Sequence, residues 1–179
     1  MMEHEAHETV VFDLDGTLVH LGVDWATVAS EVAETLRERG VTPPDTLWGM
    51  LETSEETDNR AAVERVIADH ERDGAHDSER LAAADTIPSC PVGVCSLNCE
   101  DAVHIAIEKH DIEGVSVVIG RDSVTTRKPD PEPLLETVRR LDGDPSTTLF
   151  IGDTKRDEKT AERADTDYVD ISEWLRAYA

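Results

Sequence analysis

Lysine is scarce in this chain: Lys109, Lys128, Lys155 and Lys159 are the four in 179 residues. Seventeen basic residues face 40 acidic ones, and the formal net charge is −23. A surface this negative argues against nucleic acid or an anionic membrane as partner. No apolar run approaches the roughly 20 residues that a membrane span requires. The acidic start, MMEHEAHE, has no hydrophobic signal region. Cysteine is also sparse. Cys90, Cys95 and Cys99 lack CxxC spacing and are odd in number, so they form neither a zinc motif nor a disulfide framework. They read as small buried residues beside a strand. Repeats and low-complexity stretches are absent. The balance predicts a soluble, cytoplasmic protein, monomeric or a weak homodimer, adapted to high salt that screens its self-repulsion.

What the chain does contain is organised. Apolar periodicity runs almost to the end, which excludes the disorder usual for very acidic sequences. Residues 8–13 read as a strand. Residues 24–86 then look helical without a strand between. Asp24 caps a first helix with Trp25, Val28, Val32 and Leu36 at helical spacing, closed by Gly40. Thr42, Pro43 and Asp45 open a second helix. Ala62, Val63, Val66 and Ile67 mark a third, and a short fourth is predicted over 78–84. Trp25 and Trp48 read as packing residues of this block.

After Pro88 the texture changes to strands over 92–95, 115–119, 148–151 and 168–171. These alternate with helices over 98–110, 130–141, 154–164 and 172–177, the first of them capped by Asn98. That alternation predicts an α/β fold, a Rossmann-like parallel sheet covered on both faces. The expected domains are a core of residues 1–18 and 87–179 and an inserted α-helical cap of residues 19–86.

The stretch VVFDLDGTLV, residues 10–19, poses the chemical question. A buried strand runs into Asp13 and Asp15 and breaks at Gly16. Two carboxylates this close destabilise each other's charge unless something positive lies between them. Ligands of open α/β sheets bind beyond the carboxyl ends of the strands. At those ends lie Asp13 and Asp15, then Ser96 and Leu97, then Lys128, then Asp153 with Asp157 one helical turn on. Hard oxygen donors suit Mg²⁺. A lysine and a helix N-terminus suit a phosphate.

Asp13-x-Asp15-x-Thr17, Ser96, the Lys128 of KPDP and the GDTKRD that ends in Asp157 occur in the order of the haloacid-dehalogenase-like hydrolases, which the chain therefore resembles. The position of the helical insert is similar to that of the helical-cap subgroup, including phosphoglycolate phosphatases and β-phosphoglucomutases. The resemblance implies that Asp13 is the nucleophile of an aspartyl-phosphate mechanism and Asp15 the general acid and base. It implies Mg²⁺ held by the Asp13 and Asp153 carboxylates and the Asp15 carbonyl, with Asp157 acting through water or steadying the metal's shell. Ser96 and the Leu97 N–H would bind the phosphoryl oxygens, and Lys128 would neutralise them. Leu97 stands where a small polar residue is common, and His20 where an acid is frequent.

The implied activity is Mg²⁺-dependent hydrolysis of a small organic phosphomonoester. A phosphosugar mutase of the same family and a catalytically inactive binding module on the same fold are the alternatives. A haloacid dehalogenase needs neither the second carboxylate nor the metal and is disfavoured.

Charge alone generates one expectation. The Debye length falls from about 10 Å at 0.1 M salt to about 3 Å at 1 M. The melting temperature should therefore rise from low to molar KCl at saturating Mg²⁺. A flat or falling series contradicts the high-salt reading.

Overall fold

The computed structural model describes residues 7–178; the first six residues of the acidic start, and Ala179, lie outside the described residues. The core is a five-stranded parallel sheet of β1 (Thr9–Phe12), β4 (Val92–Cys95), β5 (Val115–Ile119), β6 (Thr148–Gly152) and β7 (Asp167–Asp170), in the order β5-β4-β1-β6-β7. Every residue of β1, β4 and β6 is buried. This is why these strands read as continuous apolar runs and not as alternating ones. Alternation survives in what each face touches. Val10, Phe12, Val92, Val94, Leu149 and Ile151 point to one side. There they meet α4 (Glu100–Lys109) and α7 (Ile171–Tyr178), with the Phe12 ring edge-on to Trp174 at 5.9 Å. Val11 and Phe150 point to the other side, into α5 (Glu132–Arg140) and α6 (Lys155–Ala164). Gly93 lets α5 come close: a Cβ there would lie 2.6 Å from Thr137 Cγ2.

Three helices stand between β1 and β4. They are α1 (Trp25–Glu38), α2 (Leu47–Glu56) and α3 (Arg60–His76). Val28, Val32, Leu36, Met50, Leu51, Val63 and Ile67 give them an apolar centre of their own. Asp24 caps α1 by accepting from the amides of Ala26 and Thr27, and Gly40 follows its C-terminus at φ +75°. Both positions match the sequence reading.

Other boundaries differ. The helix expected to open at Thr42–Asp45 begins at Leu47, with Thr46 Oγ1 accepting from the Gly49 amide at 3.1 Å. Pro43 and Pro44 disfavour helical geometry in the residue before each. The fourth helix expected over 78–84 is instead β3 (Glu79–Arg80), antiparallel to β2 (Val19–His20), followed by a 3₁₀ turn at Ala82–Asp85. The segment 19–86 is therefore not wholly helical. Two-residue strands are too short to show a period, so the ribbon left no pattern. The last strand starts one residue earlier than expected, at Asp167. Among the described residues no helix is long and apolar enough to cross a membrane.

The chain leaves β1 toward β4 on one side and β6 toward β7 on the other. The crevice at such a divergence, beyond the carboxyl ends of the strands, is where α/β sheets bind ligands.

Candidate active site

Asp13 follows β1, and its amide continues the ladder by donating to Ile151 O at 2.8 Å. The residue is 6% exposed. Lys128, 3% exposed, reaches it from the segment before α5. The ammonium donates to Asp13 Oδ1 at 2.7 Å, Asp157 Oδ1 at 2.6 Å and the Cys95 carbonyl at 3.1 Å. A lysine has three donors, so all three are used and the charge is fixed in place. Asp157 is fixed in turn. Its Oδ2 accepts from Thr154 Oγ1 at 2.6 Å and from the Thr154 amide at 3.2 Å, in a capping box that starts α6.

Asp153 is exposed and borders the turn after β1. Gly16 makes this approach possible. It sits at φ +84°, and a Cβ there would lie 2.1 Å from Asp153 Oδ2. The glycine that breaks the strand thus admits a third carboxylate. Asp13, Asp153 and Asp157 each offer an oxygen within 4.8 Å of the others. Asp15 points elsewhere: its Oδ1 accepts from the Leu21 amide at 2.8 Å, with His20 Nδ1 at 3.8 Å. Its side chain is not in the carboxylate cluster.

The Ser96 hydroxyl is buried. It donates to Asn98 Oδ1 and accepts from the Asn98 amide, both at 3.0 Å. Asn98, expected to cap α4, is not its N-cap. Cys99 holds that position without a side-chain cap bond. The amide of Cys99 instead donates to Glu71 Oε2 of α3 at 2.9 Å, and that of Glu100 to Asp122 Oδ1 at 2.8 Å. Cys95 and Cys99 are buried and free, Cys90 is half-buried, and burial pushes the Cys95 thiol up to about 11.

The insert closes over these groups, leaving a cavity of about 180 Å³. Asp13, Asp15, Lys128 and Asp153 line its floor, while Trp25, Leu47, Trp48 and Ile67 line its roof. Trp25 is 40% exposed, and Trp48 lies under the Arg156 guanidinium at 4.8 Å. Both tryptophans line the cavity; Trp48 also packs against the insert's apolar centre, as expected, whereas Trp25 is not buried there. Glu71 and Arg121 also line it, and the sequence reading passed over both. One signal existed. Val63, Ile67 and Glu71 recur every fourth residue, so a carboxylate lies in the buried stripe of α3.

Charge is balanced narrowly here. Burial pushes the Asp13 carboxyl up to about 7, with Lys128 pulling it down and Asp157 pushing it up. Burial raises the Asp153 carboxyl as well, and Asp157 adds to that. Asp15 is raised by burial, against the Leu21 amide and His20. Burial alone would lower the Lys128 ammonium, but Asp13 and Asp157 outweigh it and keep it charged. Three carboxylates facing one ammonium leave two formal negative charges, the charge that one divalent cation supplies. The donors are all hard oxygens, and the set fits Mg²⁺.

Residues 87–171 match the family model described as haloacid dehalogenase-like hydrolase. The chain is 26% identical to the phosphoglycolate phosphatase of Aquifex aeolicus, over 88% of this chain and 81% of that protein. It is 25% identical to the pyrophosphatase PpaX of Oceanobacillus iheyensis, over 87% and 79%. The crystal structure of a HAD-superfamily hydrolase, subfamily IA, variant 1, from Geobacter sulfurreducens superposes with a TM-score of 0.58 at 20% identity, covering 92% of this chain and 89% of that one.

The raised Asp13 pKa has a testable sign. In the ion-free protein the folded state binds this proton more tightly than the unfolded chain. Its contribution to stability is therefore present at low pH and lost as pH rises from the ordinary carboxylate range through about 7. A cation that needs the carboxylate must displace the proton. The Mg²⁺-induced rise in melting temperature should be small at pH 5 and larger at pH 8. An equal rise at both would contradict the placement of Asp13 beside the ion.

Proposed function

We propose that this member of the haloacid dehalogenase-like hydrolases is a Mg²⁺-dependent phosphatase that hydrolyses a small organic phosphomonoester through a covalent phosphate on Asp13. One observation carries the reading: the Asp13 carboxylate, at the end of the central strand, is flanked by a buried ammonium and two further carboxylates on the floor of a small cavity. The relatives named phosphoglycolate phosphatase and pyrophosphatase support phosphate chemistry.

The chemistry follows from the residues. An Asp13 oxygen attacks phosphorus and the ester P–O bond breaks, leaving the phosphoryl group on Asp13. Asp15 gives its proton to the departing oxygen, and its raised pKa suits that task. Asp15 then takes a proton from a water molecule, whose oxygen attacks the same phosphorus and frees phosphate and the Asp13 carboxylate. Lys128 offsets charge on Asp13 throughout. In this reading the Leu97 amide and the Ser96 hydroxyl would bind phosphoryl oxygens. Ser96 must exchange its bond to Asn98 Oδ1 to donate one. Mg²⁺ would be held by Asp13 and Asp153 with the Asp15 carbonyl, and Asp157 would act from the second layer because both its oxygens are engaged. When bound, the ion neutralises charge on the phosphoryl oxygens.

The formal net charge of −23 supports a reading in which the protein works in a salt-rich cytoplasm, alone or as a weak homodimer, without nucleic acid or membrane.

Asp13→Asn keeps the side-chain shape and removes the nucleophile. Phosphate release from small phosphomonoesters should fall by roughly 10⁴-fold or more, with the far-ultraviolet circular dichroism unchanged. Wild-type turnover in the folded variant would contradict the covalent route. Bisphosphate-dependent isomerisation without phosphate release in the wild type would favour the mutase.

A further inference from the structure

Arg121 follows β5 on the core side and is 3% exposed. All five of its N–H donors are used. Nε and Nη2 meet Glu64 at 2.9–3.2 Å, Nη1 and Nη2 meet Glu71 at 2.5 and 3.0 Å, and Nη1 also meets the Leu97 carbonyl at 2.8 Å. Glu64 and Glu71 both belong to α3 of the insert, so the guanidinium ties insert to core. Glu71 does more than pair. Fully buried, it accepts from the Cys99 amide at 2.9 Å and from Asn98 Nδ2 at 3.3 Å. Asn98 in turn accepts the Ser96 hydroxyl through Oδ1. The helix α4 has no side-chain cap of its own, and the insert supplies a carboxylate to its first turn, where a negative charge is favoured.

We propose that Glu71, held by Arg121, is a positioning residue for the phosphoryl-binding segment 96–99, so that docking of the insert and binding of the phosphoryl group are coupled. The proposal rests on the function given above for Ser96 and Leu97. The loop's geometry is set from both ends: Arg121 fixes the Leu97 carbonyl, and Glu71 fixes the Cys99 amide and the Asn98 side chain. The Leu97 amide, the intended phosphate donor, lies between these anchors. Coupling of this kind is reciprocal. Phosphate that orders the loop must also strengthen insert docking.

Glu64 is the built-in control. It shares Arg121 but makes no contact with the loop. Glu71→Gln preserves shape and leaves the Arg121–Glu64 pair, yet its amide nitrogen must face two donors, Arg121 Nη1 with Asn98 Nδ2 at the Oε1 position or Arg121 Nη2 with the Cys99 amide at the Oε2 position.

The test measures inhibition by inorganic phosphate, KM, kcat and the Mg²⁺ concentration at half-activity for wild type, Glu71→Gln and Glu64→Gln, with melting temperatures. Glu71→Gln should weaken phosphate inhibition and raise KM by roughly tenfold, the loss of about 1.4 kcal/mol, while half-saturating Mg²⁺ stays within twofold. Glu64→Gln should lower the melting temperature but leave phosphate inhibition near wild type. Equal effects of the two variants on phosphate, or none from Glu71→Gln, would overturn the proposal. Hydrogen exchange of the wild type keeps it testable if Glu71→Gln does not fold. Phosphate with Mg²⁺ should slow exchange at the Cys99 amide and along residues 64–71, and unchanged exchange at residues 64–71 would overturn the coupling. A wild type that neither binds phosphate nor releases it from esters would refute the phosphatase reading itself, a different result from either.

Discussion

The Lys128 ammonium, lodged between Asp13 and Asp157 with its third bond on the Cys95 carbonyl, is the contact on which the site depends. Removing one partner from a buried pair of this kind costs about 3–5 kcal/mol, because the other charge is left uncompensated. The contact joins three elements that are distant in sequence: the end of β1, the segment before α5 and the first turn of α6. Each is brought there by the parallel sheet, whose strands all deliver their carboxyl ends to one edge. Pairing alone does not neutralise the site. Asp153 arrives through the space left by Gly16, and the three carboxylates together could hold a cation.

Rigidity and access are divided between core and insert. The floor of the cavity is fixed by saturated donors, Lys128 through three bonds and Asp157 through its capping box. The roof is apolar and aromatic, with Trp25, Leu47 and Trp48 contributed by helices that have their own packed centre. Arg121 and Glu71 span the gap between them. A largely apolar roof over a charged floor shields the carboxylates from part of the solvent, which strengthens the electrostatic interactions among them.

The sheet was legible because β1, β4 and β6 are short apolar runs bounded by turns, the trace that burial on both faces leaves. The carboxylates and Lys128 were legible because strand ends collect function in this fold class, and the sequence order at those ends matches a known family. The two-residue ribbon Val19–His20 with Glu79–Arg80 was not, since it is too short to carry a period. The start of α4 was misassigned to Asn98 because its capping carboxylate, Glu71, comes from a helix 28 positions away. Arg121 gave no local sign at all. Its meaning comes from two glutamates on α3 and the Leu97 carbonyl of the segment after β4, contacts that no spacing rule reports. The turned-in tryptophans were likewise ambiguous, since an aromatic on an insert helix packs inward or faces a ligand with the same periodicity.

The central claim is that the surplus charge around Lys128 is matched by one divalent cation. A crystal structure grown with Mn²⁺ in place of Mg²⁺, with the metal located by its anomalous signal, tests it most directly. The account predicts one peak about 2.0–2.3 Å from carboxylate oxygens of both Asp13 and Asp153, with Lys128 still bonded to Asp157. A peak bound elsewhere, or no peak at saturating Mn²⁺, would contradict it.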